Sequence, residues 1–331
     1  MNTIGIIAEY NPFHNGHLYQ IKKIREMYKD SLIIVVLNGN YTQRGDISII
    51  DKWDKTNIIL NYVDLVLELP VFYGINNANI FAKGAIEILN ELKIDKLAFG
   101  SESNNLDYLN KIVDAKLKNK NYNKYLKLEL DKGLSYPKAS SNAINKITGL
   151  FVETPNDILG TAYIEEIIKN KYKIKPLLIK RTNDYHSNEI SKICSASAIR
   201  NALKNNIDIS DSVPKDTLNY LSELRYIDSY YPLLKYKILS SSDLSIYHDV
   251  EEGIENRINK CILESNSLEE LIENIKTKRY TYNRIKRILL DILLDIKKDD
   301  IKDIKNYIRP LGFNKKGLSY LNKIKRIYLY L

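Results

Sequence analysis

The start of the chain constrains its fold more than any other stretch. Residues 4–8 read Ile-Gly-Ile-Ile-Ala, an apolar run with the length and branching of a short buried strand. Residues 11–16 read Asn-Pro-Phe-His-Asn-Gly, which are mostly residue types that turn the backbone. Apolar residues at helical spacing follow from Leu18 to Met27. The sequence therefore predicts a strand, a tight turn and a helix in that order.

Two histidines lie where the predicted helix begins. His14 and His17 are three residues apart, a spacing that brings side chains to one face of a helix. Unpaired N–H groups and the helix dipole favour an anion such as phosphate there, and Gly16 lets a ligand approach the backbone. One alternative is that the imidazoles only cap and pack the helix, and another is that they bind zinc. The other histidines and cysteines are His186, His248, Cys194 and Cys261, which lack the usual spacing of zinc ligands.

Further apolar runs alternate with segments of helical spacing along residues 1–210. They are residues 31–37, 63–69, 96–102 and 175–181. The continuous apolarity of residues 31–37 is typical of a strand covered by helices on both faces. The alternation predicts an α/β fold, a Rossmann-like domain with a doubly wound parallel sheet. We interpret Asp64 and Glu68 in the second of these runs as solvated acids.

Polar and basic side chains follow two of these predicted strands. Gln43, Arg44 and Asp46 lie in the loop after residues 31–37, and Lys180 and Arg181 end the last strand. Because the carboxyl ends of parallel strands meet at one edge, we expect these side chains to share a crevice with the histidines. An arginine there can bind phosphate with two parallel hydrogen bonds.

The second part of the chain differs in pattern and in charge. Residues 211–331 show helical spacing without a further strand pattern, so we expect domains at 1–210 and 211–331, the second smaller and all-α. The chain carries a net charge of +9, yet residues 271–331 alone hold 16 Lys/Arg and 6 Asp/Glu, a net of +10. This basic end indicates a polyanionic partner, most simply nucleic acid, with Tyr280 and Tyr282 available for stacking on bases. The alternative is a lysine-rich, merely solvated surface.

Other features limit the class of protein. Two cysteines far apart indicate no disulfide framework and are compatible with a reducing compartment. The sequence shows no pattern typical of a secretory signal peptide, and no window approaches about 18 uninterrupted apolar residues. We therefore expect a cytoplasmic protein without a membrane span, and we predict no protein partner.

Longer strings of residues resemble a known family. The string from Ala8 to His17 is similar to that of the tRNA(Met) cytidine acetate ligase family, and His14-Asn-Gly-His17 resembles the HxGH signature of the nucleotidyltransferase superfamily. Similar blocks extend the resemblance along the chain. They are residues 38–45, 99–102, 155–160, 195–200, 278–281 and 309–314.

The resemblance implies an ATP-dependent, AMP-forming ligase. Such an enzyme activates free acetate as acetyl-adenylate, with release of pyrophosphate, and transfers the acetyl group to N4 of the wobble cytidine of elongator tRNA(Met). ATP is a substrate, Mg²⁺ accompanies it mostly through phosphate oxygens and water, and no metal-binding residue is predicted. Two alternatives stay open: a nucleotidyltransferase that forms a small-molecule adenylate, and a non-catalytic RNA-binding protein.

The resemblance also implies roles for individual residues. His14 and His17 are the catalytic candidates and contact the phosphates. The implied ATP-binding residues are Ile7, Ala8, Glu9, Tyr10, Asn11, Pro12, Phe13, His14, Asn15, Gly16, His17, Leu18, Gly100, Ser101, Asn156, Arg181, Ser197 and Arg200. Among these, Gly100 and Asn156 hold the nucleoside, Arg181 the phosphates or adenine, and Ser197 with Arg200 the leaving pyrophosphate. The implied tRNA-binding residues are Lys278, Arg279, Tyr280, Arg284 and Arg287.

Overall fold

A mostly parallel six-stranded sheet forms the centre of the protein. The computed structural model describes residues 2–181, 191–302 and 304–324. The strands are β1 (Thr3–Ala8), β2 (Leu32–Asn38), β3 (Leu65–Leu69), β4 (Lys96–Ser101), β5 (Lys175–Lys180) and β6 (Pro310–Phe313). Their order is β5-β4-β1-β2-β3-β6, and only β6 runs antiparallel to its neighbour in this sheet. This sheet confirms the predicted α/β class.

Helices cover both faces of the sheet. They are α1 (Asn15–Met27), α2 (Lys52–Ile59), α3 (Val71–Gly74), α4 (Ala78–Glu91), α5 (Leu106–Lys118), α6 (Tyr122–Leu130), α7 (Tyr136–Thr148), α8 (Pro155–Lys169) and α9 (Ala196–Lys204). Alternate residues of β2 point into two separate cores. Ile34 and Val36 pack with α4 and α8, whereas Ile33 and Val35 pack with α1 and α2. This double burial explains why the β2 sequence is apolar throughout.

The chain beyond residue 211 is mainly helical. Its elements are α10 (Lys215–Leu218), a short 3₁₀ helix (Ile227–Tyr230), α11 (Tyr231–Ser240), α12 (Ile254–Glu264), α13 (Leu268–Ile275), α14 (Tyr282–Leu293) and α15 (Lys315–Ile324). The helices between residues 227 and 293 bury an apolar cluster of their own, which includes Ile258, Leu271 and Ile288. Within the described ranges, no helix combines the length and apolarity that crossing a membrane requires.

The prediction that no strand follows residue 211 is wrong. β6 pairs antiparallel with β3, and α15 then packs on the sheet. β6 has only four residues and lacks an alternating pattern, so its pairing depends on the exposed edge of β3 rather than on local sequence. A side chain at Gly312 would meet Leu60 and Thr56 of the α2 region, which explains the glycine. We keep the division at residue 210 as a proposal for where the helical unit begins.

The interpretation of Asp64 and Glu68 as solvated acids is also wrong. Both side chains are buried, and each has cationic partners that offset the cost of burying its charge. Asp64 Oδ2 accepts hydrogen bonds from Arg25 and from the backbone N–H of Ile33, each at 2.8 Å. A lysine and an arginine likewise flank Glu68. Buried carboxylates therefore anchor both ends of β3 to neighbouring elements.

A buried lysine joins the carboxyl ends of β1 and β2. Lys55 of α2 is fully buried, and its ammonium donates hydrogen bonds to the carbonyl oxygens of Glu9, Asn38 and Gly39 at 2.9, 2.8 and 2.6 Å. Burial lowers the pKa of Lys55 to about 7, against the opposing effect of the Glu9 and Asp51 carboxylates. This side chain fixes the backbone where the loops after β1 and β2 begin.

Replacement of this lysine tests its structural role. We expect Lys55→Met to lower the free energy of unfolding by about 2–5 kcal/mol, since buried carbonyl groups lose their donors. Urea unfolding measures the loss. The exposed Lys22→Met on α1 is the control and leaves stability within about 0.5 kcal/mol. Equal stability of the two variants would contradict this role for Lys55.

Candidate active site

A cavity of about 540 Å³ opens at the carboxyl edge of the sheet. The ends of β1, β4 and β5 contribute to its wall, together with the first turns of α1, α8 and α9. The chain moves from β1 through β2 to β3 and then returns to place β4 on the other side of β1. Ligands of open α/β sheets bind at such a reversal of strand order, so the topology itself creates the crevice.

Most members of the predicted ATP set lie in this wall. They are Ile7, Ala8, Glu9, Tyr10, Asn11, His14, Gly16, His17, Gly100, Asn156, Arg181, Ser197 and Arg200. Gln43, Arg44, Asp46 and Lys180 lie in it too, which confirms that the polar residues after different strands share one crevice with the histidines. The members outside the wall are Pro12, Phe13, Asn15, Leu18 and Ser101.

The two histidines cap the helix on which they lie. His14 is the N-cap of α1, and its Nδ1 accepts a hydrogen bond from the Gly16 N–H at 3.0 Å. His17 Nδ1 accepts one from the His14 N–H at 3.3 Å, which completes a reciprocal capping box. The two rings stack with centroids 3.6 Å apart. Because Nδ1 is an acceptor in both rings, each neutral imidazole carries its proton on Nε2 and keeps one N–H to donate.

The surroundings keep both imidazoles uncharged. Burial, followed by the positive charges of Arg181 and Arg200, lowers the pKa of His14 to about 3. Burial, His14 and Arg181 hold the pKa of His17 well below its usual value. The rings of Tyr10 and Phe13 enclose His17, with centroids 4.7 and 5.8 Å from its own. At neutral pH the pair therefore offers hydrogen bonds rather than charge.

Phe13 and Asn15 require a correction, because they support the cavity without lining it. Phe13 is completely buried beneath His17. The side-chain amide of Asn15 donates to the carbonyl oxygens of Lys192 and Asp211 at 2.9 and 2.8 Å. It thereby holds the segments that precede and follow α9 against the start of α1. Pro12 and Leu18 belong to the same supporting layer.

Two arginines concentrate positive charge at the cavity. Arg200 of α9 donates to the carbonyl oxygen of Asn11 at 2.7 Å, so its guanidinium lies beside the turn that carries the histidines. The Arg181 side chain passes over Gly100, where an added Cβ would lie 3.4 Å from Arg181 Cγ. Arg181 Nε is buried and has no hydrogen-bond partner in the part of the chain that the structure describes. An anionic ligand would satisfy such a donor.

The first turn of α9 adds backbone donors to the same region. Ser195 is its N-cap, and its hydroxyl accepts from the Ala198 N–H at 3.1 Å, as the sequence predicts. Ser197 and Arg200 follow within the next turn and lie in the cavity wall. The helix therefore presents a positive dipole end, a hydroxyl and a guanidinium together.

The entrance of α8 is organised by a carboxylate from the family-like block at residues 99–102. Glu102 accepts from the Asn156 side-chain amide at 2.5 Å and from the Asp157 N–H at 3.1 Å. Ser101 is fully buried and donates its hydroxyl to Asp157 at 2.6 Å. In this structure Ser101 therefore orients Asp157 and does not line the cavity. Residue spacing could not reveal this, since β4 and α8 are more than fifty residues apart.

The helical unit reaches the same cavity through α14. Thr281, Asn283 and Arg287 lie in its wall. Gly45, in the loop after β2, packs directly on the α14 backbone with φ +78°, and an added Cβ would lie 2.5 Å from the Arg287 nitrogen. In the adjacent position Lys286 pairs with Asp46 at 2.7 Å. These contacts clamp the loop that carries Arg44 to the helix that carries Arg287.

The remaining predicted tRNA residues are distributed differently. Tyr280 is buried in the helical core and donates its hydroxyl to the Glu251 carbonyl oxygen at 2.7 Å, so its ring packs within the protein in this structure. Arg284 pairs with Asp249 through two hydrogen bonds of 2.7 and 3.1 Å and lies 4.3 Å from the Tyr280 ring centroid. Two others, Lys278 and Arg279, are exposed on the surface.

Acid titration tests the neutral state of His14. The unfolded chain binds a proton at this residue below pH about 6.5, whereas the folded protein does so only near pH 3, so stability falls as pH falls between these values. We expect His14 to contribute about 2–3 kcal/mol to the loss between pH 6.5 and 4.5. His14→Asn keeps a cap acceptor but does not titrate, and should reduce the loss by that amount in urea unfolding. An unchanged pH dependence would contradict the assignment.

Comparison with known proteins agrees with this architecture. A family model described as HIGH Nucleotidyl Transferase matches residues 1–329. The tRNA(Met) cytidine acetate ligase of Caldicellulosiruptor saccharolyticus is 40% identical over 347 residues, which cover 100% of this chain and 87% of that relative. The ligase of the same name from Mycoplasma mobile is 42% identical over 302 residues, covering 89% of this chain and 100% of the relative.

A solved structure matches as well. The crystal structure of Thermotoga maritima TmcAL bound with alpha-thio ATP superposes with a TM-score of 0.90 at 33% identity, covering 98% of this chain and 84% of that one. The apo structure of the same protein gives a TM-score of 0.91 at 32% identity. The resemblance noted in the sequence is thus confirmed over nearly the whole length. The chain belongs to the HIGH nucleotidyl transferase family and to the tRNA(Met) cytidine acetate ligase family.

Proposed function

We propose that this protein is an ATP-dependent tRNA(Met) cytidine acetate ligase that works in the cytoplasm. It uses ATP to convert acetate into acetyl-adenylate, with release of pyrophosphate. It then transfers the acetyl group to N4 of the wobble cytidine of elongator tRNA(Met). One observation carries the proposal: a single cavity contains the neutral His14–His17 pair, Arg181 and Arg200, and also receives Arg287 from the basic helical unit. A phosphate site and an approach for RNA therefore adjoin each other.

The first half-reaction needs positioning and charge stabilisation. An acetate oxygen attacks the α-phosphorus, a new O–P bond forms, and the bond from that phosphorus to pyrophosphate breaks. The Nε2–H groups of His14 and His17 donate to the phosphates, and His17 stabilises the charge that develops on the α-phosphate. Arg181, Arg200 and the α9 N-terminus with Ser197 stabilise the leaving pyrophosphate. This step requires no covalent nucleophile on the protein.

The histidines suit this role as neutral rings. Without ligand they are neutral because of burial and the neighbouring arginines. A bound triphosphate places negative charge beside them and raises the pKa of each imidazole. Protonation at Nδ1 would remove the acceptor that each capping hydrogen bond needs, so the capping box favours the neutral ring with its proton on Nε2. The cap thus fixes which nitrogen faces the reaction.

The nucleoside is assigned to the β4–α8 side of the cavity. Gly100 and Asn156 lie there, together with the rings of Phe99 and Tyr163. The Asn156 amide is already oriented by Glu102. We propose that ATP brings Mg²⁺ with it, held by phosphate oxygens and water. Among the described residues no cluster of three His, Cys, Asp or Glu side chains could hold a metal ion, so we derive no step through it.

The second half-reaction takes place when the cytidine enters beside α14. The N4 amine attacks the acetyl carbonyl, a C–N bond forms, the C–O bond to AMP breaks, and the amine loses a proton. Arg287 is best placed among the predicted tRNA residues to contact the nucleotide in the cavity. Lys278 and Arg279 lie on the surface, where they can meet backbone phosphates. Arg284 is engaged by Asp249 and supports this helix instead.

The first half-reaction is tested by exchange of labelled pyrophosphate into ATP. We expect exchange that depends on acetate, and a fall of roughly a hundredfold in His17→Gln, which loses the imidazole Nε2–H from the position that the ring gives it. Glutamine at this third helical position can still accept the capping hydrogen bond, so folding is retained and serves as the control. Exchange that proceeds without acetate would favour a small-molecule adenylate as product. A chain that binds no ATP at millimolar concentration would favour a non-catalytic RNA-binding protein.

The second half-reaction is tested by incorporation of labelled acetate into tRNA(Met). We expect Arg287→Ala to reduce transfer at least tenfold more than it reduces pyrophosphate exchange, because the side chain belongs to the α14 part of the wall. Lys260→Ala, on an exposed position of α12, is the matched control and leaves both rates unchanged. Equal losses of transfer and exchange in Arg287→Ala would contradict this division of the cavity.

A further inference from the structure

An exposed tryptophan lies on the surface outside the cavity. Trp53, the only tryptophan in the chain, is the second residue of α2, and 48% of it is exposed. Two cations flank its ring: Lys52 Nζ lies 5.3 Å from the ring centroid, and Arg309 Cζ lies 5.9 Å from it. The catalytic scheme above uses none of these residues.

A buried carboxylate holds both cations in place. Glu68, only 4% exposed, pairs through Oε1 with Lys52 at 2.6 Å and through Oε2 with Arg309 at 3.1 Å. The Glu68 N–H also donates to the Arg309 carbonyl oxygen at 2.9 Å, and Asn40 Oδ1 accepts from the Lys52 N–H at 2.9 Å. The arrangement is therefore ordered before any partner arrives, and it places a lysine and an arginine beside the exposed ring.

This surface shares an edge of the sheet with the cavity. α2 begins after the loop at the carboxyl end of β2, Glu68 lies near the carboxyl end of β3, and Arg309 immediately precedes the antiparallel β6. β3 is two strands away from β1 in the sheet, a separation of about 10 Å. Tyr307, 48% exposed, adds a second accessible aromatic side chain near Arg309. An RNA strand that places one nucleotide in the cavity can continue along this edge.

We propose that Trp53, Lys52 and Arg309 form an RNA-stacking surface that holds an unpaired base of the tRNA outside the cavity. The inference rests on the proposed function and names where its RNA substrate makes a second contact. A base stacks on the exposed face of the indole, and the flanking cations contact the adjacent phosphates. An accessible aromatic ring flanked by a lysine and an arginine is the combination with which proteins hold unpaired bases, and it favours nucleic acid as the partner.

The single tryptophan provides a direct measurement. Titration of the full chain with unmodified tRNA(Met) transcript should quench tryptophan emission to a stoichiometric end point, because a stacked base contacts the only indole. Trp53→Leu should weaken tRNA binding by about fivefold to a hundredfold, the range expected for loss of one stacked base. Trp53→Tyr keeps an aromatic face and should restore most of the affinity. Arg309→Gln should weaken binding and make it less dependent on salt.

Controls separate this surface from the rest of the protein. Tyr236→Leu removes another exposed aromatic ring, on α11, and should leave tRNA affinity unchanged. Pyrophosphate exchange reports whether the ATP site of each variant is intact. Unchanged emission at saturating tRNA, while the wild type still acetylates that tRNA, would overturn the stacking surface and leave the proposed function standing. Quenching by tRNA without acetylation would support the surface and count against the ligase activity.

A different partner would also be visible. A change in emission with protein concentration alone, in the absence of tRNA, would identify a second copy of the chain as the occupant and overturn the proposal. Equal tRNA affinities of wild type, Trp53→Leu and Trp53→Tyr would overturn it as well.

Discussion

The capping box at the start of α1 is the interaction on which the rest of the site depends. His14 and His17 each use Nδ1 to accept a backbone N–H, so the helix terminus and the orientation of both rings are fixed together. The same hydrogen bonds place the remaining proton on Nε2 of each neutral ring. Helix capping and phosphate binding were alternatives in the sequence, yet one arrangement can serve both. In each imidazole Nδ1 accepts the capping hydrogen bond, and Nε2–H stays available to donate to a phosphate.

The elements around this pair are held by long-range polar contacts. Lys55 joins the ends of β1 and β2 beneath the crevice, and Glu102 fixes the first turn of α8 from the end of β4. The ion pair between Asp46 and Lys286 secures α14 to the loop after β2. Segments far apart in the chain thus meet at one cavity, which explains how a sheet-based phosphate site and a basic helical unit can act on the same substrate.

Local patterns in the sequence were sufficient to predict the first five strands, the crevice and the histidine-bearing turn. β1 to β4 are largely buried apolar runs, and the edge strand β5 keeps a shorter apolar run of which only Ile179 is buried; such runs are recognisable without knowledge of their partners. β6 was missed because its four residues form a strand only beside β3. Tyr280 and Ser101 have residue types suited to binding, but packing against distant elements buries both. The structural roles of Glu102 and Lys55 could not be predicted, although Glu102 lies in a block that resembles the family, since both roles depend on contacts across the fold.

The central claim is that both imidazoles are neutral Nε2–H donors before the substrate binds. Nitrogen NMR of the chain labelled with ¹⁵N-histidine, at neutral pH and without ATP, tests it most directly. His14→Asn and His17→Gln assign the signals. The structure predicts that both rings are neutral, with an unprotonated Nδ1 and a protonated Nε2. A ring protonated at Nδ1, or an imidazolium at either position, would contradict the account.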